Sequence, residues 1–195
     1  MKHHKTYTVG FRRKRSGKTD YKKRLKILLA NKPRLVVRKS SKNIIGQVVE
    51  YGENGDRVLI SASSKELEKL GWGFGRANMP CAYLVGFLIA KKAEKKRINQ
   101  VVFDIGRQAP ISASRVFCFL KGAVDGGLDV PHSKEVLPSE DRLRGKHIVE
   151  YAKRLKGEDN ARYEKQFSAC LKKKADPEDI EKVFDAIKKK IEAIK

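Results

Sequence analysis

No two cysteines in this chain stand close enough to begin a metal site: Cys81, Cys118 and Cys170 are the only three, and no C-x-x-C pair exists. Tetrahedral zinc coordination has no anchor in such a sequence, and a disulfide framework has too few members, so buried thiols in a reducing compartment are expected. No apolar run reaches the roughly 18 residues that a membrane helix needs, and the basic N-terminus lacks the apolar block of a secretory signal. The reading is an intracellular, cytoplasmic protein. Acidic residues are scarce, 23 Asp and Glu against 45 Lys and Arg, which leaves a net charge of +22. So large an excess goes beyond solubility and points to an anionic polymer or surface as partner. Charge alone does not choose between nucleic acid and a membrane surface.

Catalytic constellations are missing too. His3 and His4 sit in a basic terminal stretch, and His132 and His147 in polar surroundings. No nucleophile elbow, H-E-x-x-H or P-loop accompanies them. Cys118 lies in the apolar run VFCFL, where a thiol packs as core and does not react. Residues 71–75, GWGFG, do not have the G-x-G-x-x-G spacing of a dinucleotide site and read as a structural turn. The expectation is no enzyme, no cofactor, no metal and no small-molecule substrate. A rival reading keeps an RNA- or nucleotide-processing enzyme using the α/β core, with Asp104 or Cys118 as its candidates.

What is present is concentrated at one end. Residues 1–34 hold thirteen Lys or Arg against the single Asp20, more than half of the net charge. Residues 1–20 have few aliphatic side chains to bury and are expected to be disordered until a partner orders them. Arg12, Arg13, Lys14, Arg15 and Lys18 offer forks and point charges for phosphate, while Tyr7, Phe11 and Tyr21 offer flat faces for unpaired bases. A solvated tail or a localisation signal is the plainer alternative. Arg38, Lys39 and Lys42 add cations at a hairpin turn, which extends the charged surface beyond the arm.

The periodicity then changes along the chain. Residues 21–30, YKKRLKILLA, place Leu25, Leu28 and Leu29 at helical spacing, predicting a short amphipathic helix docked on the core and ended by Pro33. β-Branched runs at 35–40, 43–51 and 57–62, separated by turn residues including Asn54-Gly55, predict a three-strand meander. Asn78 is the expected cap of a mostly apolar helix over 79–97. Its small residues Ala82, Val85, Gly86, Ile89, Ala90 and Ala93 imply close packing on two sides. A strand at 100–105 and a helix at 114–124 follow. The fold class is therefore α/β, a mixed sheet of about four strands with packed helices in the order β-β-β-α-β-α, flanked by a basic N-terminal arm and a helical C-terminal extension. The units are residues 1–24 as RNA-binding arm, 25–130 as core and 131–195 as a mostly helical extension. In the extension, Asp176 and Pro177 open a final helix striped by Ile180, Val183, Phe184, Ile187, Ile191 and Ile194. Around residue 104, Asp104, Gly106, Ser112 and Ser114 with Arg107 and Arg115 form either an anion site or an ordinary strand-to-helix connection.

Several blocks taken together, FRRKRSGKTDYKKRLK, KPRLVVRKSSKNI, GWGFGRANMPCAYLVGFLIAKKA, VVFDIGRQAPISASRVFCFLKGAVDGGLDVPHS and RGKHIVEY, resemble the archaeal and eukaryotic branch of the ribosomal large-subunit family numbered eighteen in bacteria. The likeness runs to about residue 155, and the chain length is similar to the archaeal type. What the resemblance implies is a structural constituent of the large subunit that binds 5S rRNA and anchors it to the large rRNA in the central protuberance, beside neighbouring ribosomal proteins. By similarity, Arg12, Arg13, Lys14, Arg15, Lys18, Tyr21 and Arg24 meet RNA from the arm, and Arg38, Lys39 and Lys42 from the hairpin. One position departs: Ala113 stands where such proteins often carry Gly, so a backbone angle favouring glycine is expected to be lost there.

Overall fold

The protein is described by a computed structural model over residues 8–193. Tyr7, His3, His4 and Ile194, named above, lie outside the described residues. The mixed sheet has the expected four strands: β1 (Arg34–Lys39), β2 (Ile44–Glu50), β3 (Arg57–Ser63) and β4 (Val102–Asp104), in spatial order β3-β2-β1-β4. β1 pairs antiparallel with β2, and β2 antiparallel with β3, through a register shift between Val48 and Val49. β4 returns parallel to β1, with Val36 opposite Asp104. Side chains alternate across the pleat, so Leu35, Val37, Ile44, Val48, Ile60 and Ala62 face one buried core.

Two short basic helices precede the sheet, α1 (Arg12–Arg15) and α2 (Tyr21–Leu28). A helix that pattern reading passed over, α3 (Ser64–Lys69), follows β3 directly. Its start is a reciprocal cap: Ser63 Oγ accepts from the helix and Glu66 accepts from Ser63 N at 2.9 Å. The long helix α4 (Met79–Lys95) is capped as expected, Asn78 Oδ1 accepting from Cys81 N at 3.0 Å. α4 packs on β2 and β3 and crosses α5 (Arg115–Asp125). The two backbones touch at the crossing, because a Cβ on Gly86 would sit 2.0 Å from Phe119 O, and one on Gly122 would sit 2.0 Å from Tyr83 O. Only glycine permits that approach.

The C-terminal part is helical: α6 (Glu140–Arg144), α7 (Lys146–Glu158), α8 (Asn160–Leu171) and α9 (Ile180–Glu192). α9 buries Ile180, Phe184, Ile187 and Ile191 in the same core as the sheet, with Phe184 and Tyr83 rings 5.4 Å apart. A smaller cluster of Ala152, Leu155 and Tyr163 joins α7 to α8. The GWGFG segment is the structural turn expected: Trp72 is 1% exposed, packs edge-on to Phe74, and donates Nε1 to Gly75 O at 3.1 Å. Lysines at the end of α4 cover the open sheet edge, Lys92 Nζ and Lys96 Nζ donating to Ser61 O and Leu59 O of β3 at 2.9 and 2.8 Å.

Candidate nucleic-acid interface

Residues 8–20, expected to lack structure until a partner orders them, fold locally. Four consecutive cations make the single turn of α1, begun by Lys14 N and Arg15 N donating to Phe11 O. Gly17, at φ 68°, reverses the chain, and Arg13 Nε donates to Thr19 Oγ1 at 2.9 Å. Asp20 Oδ1 then caps α2 by accepting from Lys22 N and Lys23 N at 3.1 and 3.2 Å. Phe11 and Tyr21 close the loop ring against ring, 5.0 Å between centroids. These short-range bonds need no hydrophobic core, so burial bookkeeping on the arm's composition overlooks them.

α2 does not dock by its leucines. Leu25 and Leu29 are 63% and 73% exposed, and no residue of α2 is buried. Electrostatics hold the helix. Arg24 donates to both oxygens of Asp56 in the β2–β3 turn at 2.7 and 2.9 Å. Asp56 also accepts from Arg34 Nη2 at 2.7 Å, while Arg34 Nη1 donates to Asp104 Oδ2 at 2.9 Å. Arg34 is only 4% exposed and sits beneath the helix. The Arg24 guanidinium, then Arg34, holds the Asp56 carboxyl below its ordinary range, and Asp56 raises Arg24 in return. Lys23 Nζ adds a bond to Gly106 O at 3.2 Å.

Between α2 and the outer face of the sheet lies a cleft of about 470 Å³. Arg13, Lys18, Tyr21, Arg24 and Arg38 of the expected contact set line it, with Arg107 at its end. Lys14 and Tyr21 line an adjoining depression that also reaches Arg107. Arg12, Arg15 and Lys39 are exposed on their own elements. Lys42 lines a separate cleft with Arg76, Arg115 and Lys173. The structure thus gathers Arg38, but not Lys42, to the arm.

The anion site around residue 104 does not form. Asp104 is engaged by Arg34 and by Gly106 N at 2.8 Å, Arg107 turns to the arm, and Arg115 Nη1 donates to Ala77 O at 2.8 Å. Ser114 caps α5 without a side-chain bond. Ala113 does adopt the left-handed angle expected to be lost, φ 53°, held by its N–H to Val136 O at 3.0 Å. Cys118 is fully buried and its thiol is pushed up to about 12 by burial, which suits packing and not nucleophilic attack.

The chain matches the family described as ribosomal large subunit proteins 60S L5 and 50S L18 over residues 5–102, with an overlapping match over 91–133. It is also 47% identical over 188 residues to the large ribosomal subunit protein uL18 of Korarchaeum cryptofilum (strain OPF8), covering 96% of this chain and 95% of that one. The chain belongs to this L5/L18 family. Its role is structural, as a component of the large ribosomal subunit, and it is not an enzyme. The match to the Korarchaeum protein extends across the C-terminal helices, where the blockwise likeness in the sequence had thinned.

Within this L5/L18 architecture, pattern reading missed Arg34, Lys23 and Asp56. Arg34 and Asp104 are 70 positions apart and meet only because β4 returns parallel beside β1. Asp56 directly follows the Asn54-Gly55 turn, but nothing local marks it as the acceptor that anchors the arm.

Proposed function

We propose that this large-subunit protein binds 5S rRNA and helps anchor it to the large rRNA in the central protuberance, in the cytoplasm and beside neighbouring ribosomal proteins. One observation carries the reading: exposed cations of the arm and of β1 converge around a single cleft on the sheet's outer face. The arm, residues 1–24, is the RNA-binding segment. Arg12, Arg13, Lys14, Arg15 and Lys18 meet phosphates, Tyr21 offers a ring, and Arg38, Lys39 and Lys42 extend the contact along the hairpin. Arg24 serves the same surface by orientation, since its fork is occupied by Asp56. Charge supplies affinity, and selectivity comes from RNA shape and unpaired bases.

Filter binding of 5S rRNA against salt tests this. With six to ten phosphates neutralised, affinity falls by roughly 10³ to 10⁵ between about 50 and 200 mM salt. A flat response, or equal binding to an unrelated RNA of the same length, would reject it.

A further inference from the structure

We infer that the groove between the GWGFG turn and α8 receives an acidic, extended segment of a neighbouring protein, with one apolar side chain inside and carboxylates along the rim. This rests on the reading of the chain as a large-subunit component with protein neighbours, and it names the face and the chemistry of one such contact. The groove holds about 660 Å³ and shares no lining residue with the two clefts beside the arm.

Three parts of the chain build it. Ser41 and Lys42 come from the β1–β2 turn, residues 73–78 from the segment leading into α4, and Gln166, Ala169 and Cys170 from α8. α8 buries only Tyr163, in the small cluster with Ala152 and Leu155, so most of this helix is not seated in the main core. The chain beyond it comes back to the turn, where a Cβ on Gly73 would stand 2.8 Å from the Ala175 methyl. Ion pairs tie the two sides together: Glu68 of α3 accepts from Lys173 at 2.6 Å and from Arg76 at 3.0 Å. The space left between them is not filled by the protein's own side chains.

The lining selects the occupant. Phe74, Ala77, Ala169 and Cys170 make an apolar surface, which suits an aliphatic side chain and offers nothing to a phosphate. Residues 73–77 are in neither helix nor strand, and the backbone N–H groups of Gly73, Phe74, Arg76 and Ala77 donate to no described residue. An extended peptide presents carbonyl oxygens to open donors of this kind. Lys42, Arg76, Arg115 and Lys173 stand against the single carboxylate of Glu68, an excess that draws acidic side chains. The excess is modest, because Glu68 takes Arg76 and Lys173, and Arg115 Nη1 donates to Ala77 O at 2.8 Å. The groove therefore lacks the run of cations without carboxylates that α1 presents, and a peptide bearing a few carboxylates fits it better than an RNA backbone does.

The full-length protein and a fluorescein-labelled heptapeptide, Asp and Glu around one central Leu, test it by fluorescence polarisation. Binding is expected to saturate and to weaken with salt. Replacing the peptide's Leu by Ser, or filling the groove with Ala169→Trp, should each weaken it by about 10-fold or more, the loss of one buried apolar side chain. Gln166→Glu should weaken binding and Gln166→Lys strengthen it, each by up to about 5-fold, the size of one exposed charge pair. Opposite signs at one position do not arise from misfolding, so this pair and the Ser peptide decide if Ala169→Trp loses its thermal transition. No saturable binding of the peptide, or binding that ignores these changes, overturns the proposal. So does a loss on Ala169→Trp that falls on heptauridylate RNA in place of the peptide. In large subunits assembled with p-benzoylphenylalanine in place of Gln166, the crosslink should map to a protein segment holding an apolar residue among Asp and Glu. A crosslink to rRNA or to a segment without carboxylates, or no crosslink, overturns it. Ala169→Trp should leave 5S rRNA affinity and its salt slope unchanged, so failure of wild type to bind 5S rRNA counts against the RNA reading and not against the groove.

Discussion

Arg24 and Asp56 form a two-bond pair, guanidinium to carboxylate at 2.7 and 2.9 Å, between a helix with no buried residue and a turn of the sheet. The placement of the arm therefore depends on charge geometry. Asp56 shares its second oxygen with Arg34, which in turn reaches Asp104, so the arm is linked to the parallel strand pair beneath it. A mobile cationic tail would pay the full ordering cost on meeting RNA, and this clamp removes part of it beforehand.

The two ends of that network should respond differently to truncation. Asp56→Ala and Asp104→Ala each leave the buried Arg34 with one partner fewer, and each should cost about 3 kcal/mol. Only Asp56→Ala also frees Arg24, so only it should speed amide exchange in residues 21–28 beyond the rest of the chain. Urea unfolding and hydrogen exchange, read side by side, separate the two. Equal exchange of residues 21–28 in both variants would contradict the division.

Acid should release the arm before the core. The Asp56 carboxyl is held down first by its bond to Arg24, and a group with a depressed folded value stabilises above its unfolded value of about 3.9. That stability is complete at neutral pH and is lost as pH falls through the lower folded value. Glu68 behaves alike, depressed first by Lys173 of the segment after α8 and then by Arg76. Exchange of α2 amides is therefore expected to stay slow down to about pH 5 and to accelerate below about pH 3. Unchanged protection across that interval would oppose the clamp.

The helix crossing should tolerate no added methyl. Gly86→Ala places a carbon 2.0 Å from Phe119 O, a backbone atom that cannot step aside, so a loss of at least about 3 kcal/mol is expected. Gly157→Ala, in α7 with nothing within 4 Å, is the matched control and should gain about 0.5 kcal/mol from helix propensity. Thermal midpoints of the pair measure the contrast.

Ala113→Gly should stabilise. A non-glycine residue at φ 53° costs about 1 to 2 kcal/mol, and glycine's greater freedom in the unfolded chain returns about 0.4 to 1 of that. A net gain of up to about 1 kcal/mol in chemical unfolding is expected. A loss would mean that the Ala113 methyl packs usefully against its surroundings.

Much of the fold is legible from local signals. The meander shows as β-branched runs broken by Asn-Gly, α4 as an apolar helix behind Asn78, and the final helix as a stripe of Ile and Phe behind Asp176 and Pro177. α3 escaped because Ser63 both ends a strand and caps a helix, leaving no turn residues to mark a boundary. Leu25 and Leu29 misled for the opposite reason: spacing reports which residues share a face, not whether anything covers that face.

The order of residues alone settled the basic character of the arm, the four strands, the inertness of Cys118 and the family, because each depends on composition or on neighbours within a few positions. Where the arm points, which cations share a cleft, and that Arg24 holds the arm through Asp56 were decided only when distant strands came together. Ion pairs act over a few ångströms, and the chain brings residues 24, 34, 56 and 104 within that distance only by folding.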